Sequence, residues 1–169
     1  AALCSSPLLQ NVGDAHLGFF ASADAIADAK AEILDGAGAD DVLVANANDP
    51  RVMRRAEWFL GQVVTFGIDT AADVRATAVE HRGLDGTAAE LTTAAGSTTL
   101  VTPLLGLGNL SNILAATAVA IQFDIPVSEI VETAARLQPA AHRGELLRLP
   151  GGITLIDDSY NSSPSALKQ

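Results

Sequence analysis

Apolar and polar positions alternate along the chain in two different rhythms. Pro7 to Val12 is a short apolar run that predicts a buried strand. A helical spacing follows from about Asp24 to Leu34, with Ser22 as its cap and Gly36 just past its end. Asp41 to Ala45 (DVLVA) predicts a strand. After the break at Asp49-Pro50, Arg51 to Phe59 predicts a helix, and Val63 to Phe66 predicts a strand ending at Gly67. Strand–helix–strand–helix–strand implies a parallel sheet with helices packed on it.

The rhythm changes after Asp69. Val74 to His81, Ala88 to Ala94 and Thr98 to Thr102 read as strands, divided by the turn signals Leu84-Asp85-Gly86 and Ala95-Gly96-Ser97. They predict a small antiparallel patch. Two helices come next, about Leu110 to Phe123 and Ser128 to Leu137. From Gly144 the pattern resets to ELLRL, the turn Pro150-Gly151-Gly152 and ITLID, a hairpin. The stretch Gln138 to Ala141 is the best boundary, dividing the chain into residues 1–139 and 140–169. No internal repeat is visible, and alanine richness is the only compositional bias.

Composition narrows the class. Of the 169 residues, 49% are hydrophobic and 18% charged, enough apolar material for a core and too much for disorder. The net charge of −10 argues against nucleic acid or an anionic membrane as a partner of the overall field. A small nucleotide held by local contacts is still compatible. The single Cys4 excludes a disulfide framework and suits a reducing cytoplasm. The longest apolar run, Ile113 to Ile121, is too short to span a bilayer and is interrupted by a threonine, and no basic n-region of a signal peptide precedes it. The opening AALCSSPLLQNVG and the closing SPSALKQ, which reads as the first turn of a helix, suggest a fragment of a longer protein.

Several residues carry possible chemistry. Lys30 is four residues from both Ile26 and Leu34, which places it on the apolar stripe of its helix. An amine there needs a specific partner or a lowered pKa, or else it snorkels from the stripe's edge. His16 follows Asn11-Val12-Gly13 at the exit of a strand, where parallel sheets bind ligands; it is either a metal-site imidazole or a loop residue with a backbone partner. Asn46-Ala47-Asn48-Asp49-Pro50 occupies another strand exit and reads equally as turn chemistry or as a nucleotide contact. Gly106-Leu107-Gly108-Asn109-Leu110-Ser111 imitates a dinucleotide fingerprint but lacks its third glycine. Its useful residues are Asn109 and Asn112, which bracket a helix start and can cap the helix or read an adenine edge. Arg143, in His142-Arg143-Gly144-Glu145, lies at the proposed domain boundary and can reach a phosphate. Asp157-Asp158-Ser159-Tyr160-Asn161 closes the hairpin with a concentration of polar groups. No segment has the G-x-x-x-x-G-K-[ST] pattern of a P-loop.

The order NVGDAHLGFFAS, IADAKAEIL, VANANDPRV, VVTFG, GNLSNILAATAVA, HRGELLRLPGG and DDSYNSSPSALK resembles the Mur ligase family, ATP-dependent amino-acid or peptide ligases of peptidoglycan synthesis. The final motif is similar to the branch that adds D-alanyl-D-alanine to UDP-MurNAc-tripeptide. Folylpolyglutamate or cyanophycin synthetase-like ligases, or a non-catalytic nucleotide-binding module, are the alternatives. The resemblance implies an α/β fold: a P-loop-type central domain, truncated and lacking its P-loop, with a mostly parallel sheet, and the opening hairpin of a C-terminal Rossmann-like domain.

It also implies roles. Lys30 matches the lysine that carbon dioxide carbamylates to support a Mg2+ ion, and His16 matches the metal-site histidine. Asn109 and Asn112 match a pair of which one contacts adenine of ATP. Arg143 matches the arginine that reaches the ATP phosphates or ribose, and Asp158 the ribose aspartate, with Tyr160 and Asn161 beside the nucleotide. The expected catalytic set is therefore Lys30, His16 and Arg143, with UDP-MurNAc-tripeptide and D-Ala-D-Ala as substrates of the whole protein. Three positions depart from the pattern: Gly108 replaces a usual His, Asn48 a usual Asp, and Gln10 a common Thr.

Overall fold

A computed structural model describes residues 7–12 and 20–160. Six strands form one sheet in chain order: β1 (Leu8–Leu9), β2 (Val42–Asn46), β3 (Gln62–Ile68), β4 (Val74–His81), β5 (Thr87–Thr93) and β6 (Gly96–Thr102). Strands β1 to β4 are mutually parallel, and β4 to β6 antiparallel. Helix α1 (Ala23–Ala31) links β1 to β2, and α2 (Pro50–Ala56) links β2 to β3. Helices α3 (Gly106–Gln122) and α4 (Val127–Ala134) follow β6.

Strand pleating divides the apolar side chains between two cores. Val44, Val64, Phe66, Val74, Ala76, Ala89, Leu91 and Leu100 pack with Leu110, Ile113, Leu114 and Ala118 of α3 and Ala134 of α4. Leu9, Leu43 and Ala45 meet Ile26 and Ala27 of α1 and Val52 and Ala56 of α2 on a second core. The positions 110, 113, 114, 117 and 118 form one helical stripe, and each is buried. Each fully buried leucine contributes roughly 1.5–3 kcal/mol, and Leu43, Leu91, Leu100, Leu110 and Leu114 are all in that class.

The antiparallel strands are not a separate patch. Strand β4 pairs parallel with β3 through Phe66–Val74, Gly67–Arg75 and Ile68–Ala76. A parallel connection ordinarily takes about a dozen residues or more, yet residues 69–73 suffice here. Asp73 closes the loop: its Oδ2 accepts from Thr65 N at 2.8 Å and from Thr65 Oγ1 at 2.6 Å. Asp69 takes a left-handed φ of 50° and donates its N–H to Ala76 O at 2.9 Å. Gly67 fits a close approach: a Cβ there would lie 2.4 Å from Thr70 Cγ2, so the threonine side chain would have to shift.

Other boundaries also shift. Helix α1 begins as expected, with Ser22 Oγ accepting from Ala25 N at 3.1 Å. It gives way after Ala31 to a 3₁₀ turn, Glu32–Leu34, and Ile33 is 55% exposed. Helix α2 ends at Ala56, short of the expected Phe59. Helix α3 starts at Gly106, four residues before the expected Leu110.

Strands β7 (Glu145–Leu149) and β8 (Ile153–Asp157) form a separate two-stranded sheet with the expected turn. Leu149, Ile153, Leu155 and Ile156 of this hairpin are exposed. No described helix is long and apolar enough to cross a membrane.

Candidate functional site

The exit of β1 is a hub that three helices share. Gln10 donates its side-chain amide to Asn112 Oδ1 on α3. Asn11 O accepts from Lys30 Nζ on α1 at 2.6 Å. Val12 N donates to Asp49 Oδ2, at the N-terminus of α2, at 2.6 Å. Three consecutive backbone positions thus gather Asn112, Lys30 and Asp49. They do so at the C-terminal edge of parallel strands, where open α/β sheets bind ligands.

The sequence supports each arm locally. Asp49 is the N-cap of α2 and Pro50 its first residue, a pre-organised start. Asp49 Oδ1 accepts from Arg51 N at 2.9 Å, which leaves Oδ2 for Val12. Helix α1 is oriented by Ile26 and Ala27 in the core and by Asp28, whose Oδ1 takes Arg55 Nη2 at 2.6 Å.

Lys30 corrects one expectation. Its side chain is exposed rather than on a buried stripe: only Ile26 and Ala27 of α1 are buried, so the covered face of this short helix is narrow and Lys30, one turn past Ile26, lies at its open edge. The ammonium nevertheless has a specific partner in the Asn11 carbonyl. His16 and Asn161 lie outside the described residues.

Asn109 and Asn112 sit inside α3, not at its cap; Leu105 is the N-cap and has no side-chain bond. Asn109 Nδ2 donates back to Leu105 O at 2.8 Å. Asn112 is exposed and engages only Gln10 among the described residues. A Cβ on Gly108 would meet nothing within 4 Å, so the missing imidazole leaves open space beside this amide pair.

The 46–50 turn uses its polar groups internally. Asn46 Oδ1 accepts from Asn48 N at 2.9 Å. Asn48 Nδ2 donates to Ile68 O at 2.8 Å, and its Oδ1 accepts from Ile68 N at 2.7 Å. Turn chemistry, together with a tie to the end of β3, accounts for these amides.

A second cluster occupies the open end of the β7–β8 hairpin. The Arg143 guanidinium carbon lies 4.0 Å above the Tyr160 ring centroid, a cation–π contact. His142 Nδ1 is 2.8 Å from Asp157 Oδ2, and Tyr160 N donates to His142 O at 3.0 Å. Hydrogen bonding and charge from Asp157 hold the His142 pKa above its ordinary value. The Asp157 carboxyl is held below its own, by Ser159 first and His142 second. Asp158 is exposed beside them. No hydrogen bond or ion pair among the described residues joins this cluster to the hub.

Two contributors carry little signal of their own: in the sequence Gln10 is only a departure from a pattern, and Asp157 only part of a polar run. Neither the Gln10–Asn112 contact, 102 residues apart in sequence, nor the bond from Val12 to Asp49 has a local signal.

The donor set bears on metal binding. Among the described residues no group of three or more His, Cys, Asp or Glu is placed to hold an ion. Asn11 O offers one hard oxygen, the type Mg2+ prefers, but the Lys30 ammonium beside it carries the wrong charge. The described hub therefore fits a cation only if Lys30 changes sign.

Helices arranged around the exits of parallel strands define an α/β domain of the mostly parallel type. A model of the Mur ligase middle domain matches residues 5–120, and the chain belongs to the Mur ligase family. It is 29% identical over 161 residues to a Bacillus subtilis protein named UDP-N-acetylmuramoyl-tripeptide–D-alanyl-D-alanine ligase, covering 95% of this chain and 34% of that relative. Its fold matches a crystal structure of MurF from Acinetobacter baumannii with a TM-score of 0.87 and 28% identity, over 96% of this chain and 35% of that one. It also matches MurF ligase from Thermotoga maritima in complex with ADP, with a TM-score of 0.82 and 26% identity, over 96% and 37% of the two chains. The chain spans about a third of the length of the curated relatives it matches.

Proposed function

We propose that the whole protein is a cytoplasmic ATP-dependent ligase that joins D-alanyl-D-alanine to UDP-MurNAc-tripeptide. In this reading residues 1–139 belong to its central ATP-binding domain and residues 140–169 open its C-terminal domain. One observation carries the proposal: the likeness to ligases of that name runs through the hub, across the boundary and into the hairpin, over 95% of the chain.

The reaction is phosphoryl transfer followed by acyl transfer. The terminal carboxylate of the tripeptide attacks the γ-phosphate of ATP, the bond to ADP breaks, and an acyl phosphate forms. The amine of D-Ala-D-Ala then attacks the acyl carbon, inorganic phosphate leaves, and the amine gives up a proton. Positioning is the main task of the protein, and it can supply on the order of 7–11 kcal/mol of such a barrier.

Asn109 and Asn112 lie in the first two turns of α3, where a side-chain amide can hydrogen-bond an adenine edge. Arg143 offers a forked donor to a phosphate or ribose oxygen, while Asp158 can accept from ribose hydroxyls. Tyr160 and Asn161 lie next to it in sequence. Lys30 would add carbon dioxide through its neutral amine and release a proton to become a carbamate, which with His16 would hold Mg2+. That ion, when bound, supplies neutralisation of phosphate charge.

Phosphate release by the full-length protein tests the reading. With UDP-MurNAc-tripeptide, ATP and D-Ala-D-Ala together, release should accompany one new amide bond in the product mass. Release that responds instead to glutamate and a folate acceptor would assign a sister ligase. No release with either set would overturn the proposal.

A further inference from the structure

The residues before β7 and after β8 meet where Glu145 pairs with Asp157. His142 binds both segments. Its ring Nδ1 reaches Asp157 Oδ2 at 2.8 Å, its carbonyl accepts from Tyr160 N at 3.0 Å, and its N–H donates to Glu145 Oε2 at 3.4 Å. The backbone of His142 lies in the left-handed region, φ 62°. That conformation is costly for most side chains and easier for Gly and, among the others, for Asn, Asp and His. Asp157 is itself held in place, since its Oδ1 accepts from Ser159 N at 3.1 Å and from Ser159 Oγ at 2.6 Å.

His142 immediately precedes Arg143, and Asp157 immediately precedes Asp158. A bond between the first members of the two pairs sets the spacing between the second members. Tyr160 is fixed by the same histidine's carbonyl and carries Arg143 on its ring. We propose that His142 is a positioning residue: its ring, hydrogen-bonded to Asp157, holds Arg143, Asp158 and Tyr160 as one nucleotide-binding array. This rests on the ATP-ligase reading above, but His142 itself touches no nucleotide in it.

The charged groups around the ring are Asp157 from the end of β8, Glu145 from the start of β7, and Arg143 next in the chain. Two acids against one guanidinium favour the imidazolium. The clasp is therefore tightest while His142 is protonated and Asp157 is ionised.

The test is ATP affinity of the full-length protein by calorimetry, across about pH 6 to 9, with steady-state kinetics alongside. His142→Gly keeps the left-handed backbone and removes the ring. His142→Asn keeps both the backbone preference and an N–H donor near the position of Nδ1. We expect His142→Gly to raise the Kd and KM for ATP about tenfold, with kcat changed less than about threefold, as for loss of one charge-assisted hydrogen bond. His142→Asn should return the Kd to within about threefold of the unsubstituted value. The unsubstituted protein should bind ATP more weakly as pH rises through the histidine pKa, and His142→Asn should lose that dependence.

An unchanged Kd in His142→Gly overturns the proposal. So does a Kd as poor in His142→Asn as in His142→Gly. A protein that binds ATP, yields the expected Kd series and forms no amide overturns the ligase reading while leaving the positioning role intact. A protein that binds no ATP overturns both.

Discussion

Val12 and Asp49 are joined by a 2.6 Å hydrogen bond from backbone N–H to carboxylate. The same carboxylate caps α2 through Arg51 N and Val52 N. Asp49→Ala would lose the cap and leave the Val12 N–H without its partner. The expected loss is about 2–4 kcal/mol, read from the urea midpoint at constant slope. Asp49→Asn keeps one carbonyl acceptor and should lose less. Equal stability of Asp49→Ala and the unsubstituted protein would show that the β1 exit is held by other contacts.

Gly67 and Thr70 form a tight fit in the connection between β3 and β4. Gly67→Ala should destabilise by roughly 1–3 kcal/mol, as overpacking does. Thr70→Ser removes the Cγ2 methyl that the new Cβ would meet 2.4 Å away. The double variant should therefore recover much of the loss, a coupling that a double-mutant cycle measures directly. Simple additivity would count against the contact.

Gly108 has the opposite setting, a helical glycine with space around it. Gly108→Ala should stabilise by roughly 0.5–1 kcal/mol through helix propensity, visible as a higher melting temperature. A lower one would mean that the glycine is needed for something other than room.

Lys30 separates stability from activity. Its side chain is exposed and its one described bond is to Asn11 O, so Lys30→Ala should cost no more than about 0.5–1.5 kcal/mol of stability. In the full-length protein the same change should abolish phosphate release, with partial rescue by added short carboxylates standing in for the carbamate. Full activity in Lys30→Ala would remove the carbamate role.

The His142–Asp157 pair has a pH window. The raised His142 pKa means that its contribution is complete below the ordinary histidine value, about 6.5, and is lost as pH rises through the higher folded value. The lowered Asp157 pKa means that its contribution is present above the ordinary aspartate value, about 3.9, and is lost as pH falls through the lower folded value. An NMR titration should place His142 above an unstructured histidine, and Asp157→Asn should bring it down. An unmoved titration in Asp157→Asn would contradict the pairing.

Local chemistry was legible in the sequence, and long-range geometry was not. Ser22, Asp49-Pro50 and Pro150-Gly151-Gly152 mark a cap, a helix start and a turn because each acts on its own neighbours. The parallel pairing of β3 with β4 depends on Thr65 meeting Asp73 across a loop too short for the usual crossover. The start of α3 was hidden because Gly106 and Gly108 read as loop residues, whereas the burial of Leu110, Ile113 and Leu114 carries the first turn into the helix. Spacing from Ile26 puts Lys30 on the apolar stripe, but spacing does not report how wide the covered face is: Ile26 and Ala27 are buried, while Lys30 in the same helix is exposed. Its bond to Asn11 O depends on where β1 ends relative to α1, which no periodicity reports.

The six strands lie side by side in the order in which a ribosome makes them. Each strand from β2 onward emerges to find its neighbour already exposed, and none has to be threaded between two earlier ones. Assembly of these described strands can proceed in the direction of translation, edge by edge, until α3 arrives to cover one face of them. Nascent chains stalled after β6 should therefore hold a sheet with that face still bare, open to a chaperone until the next helix is made.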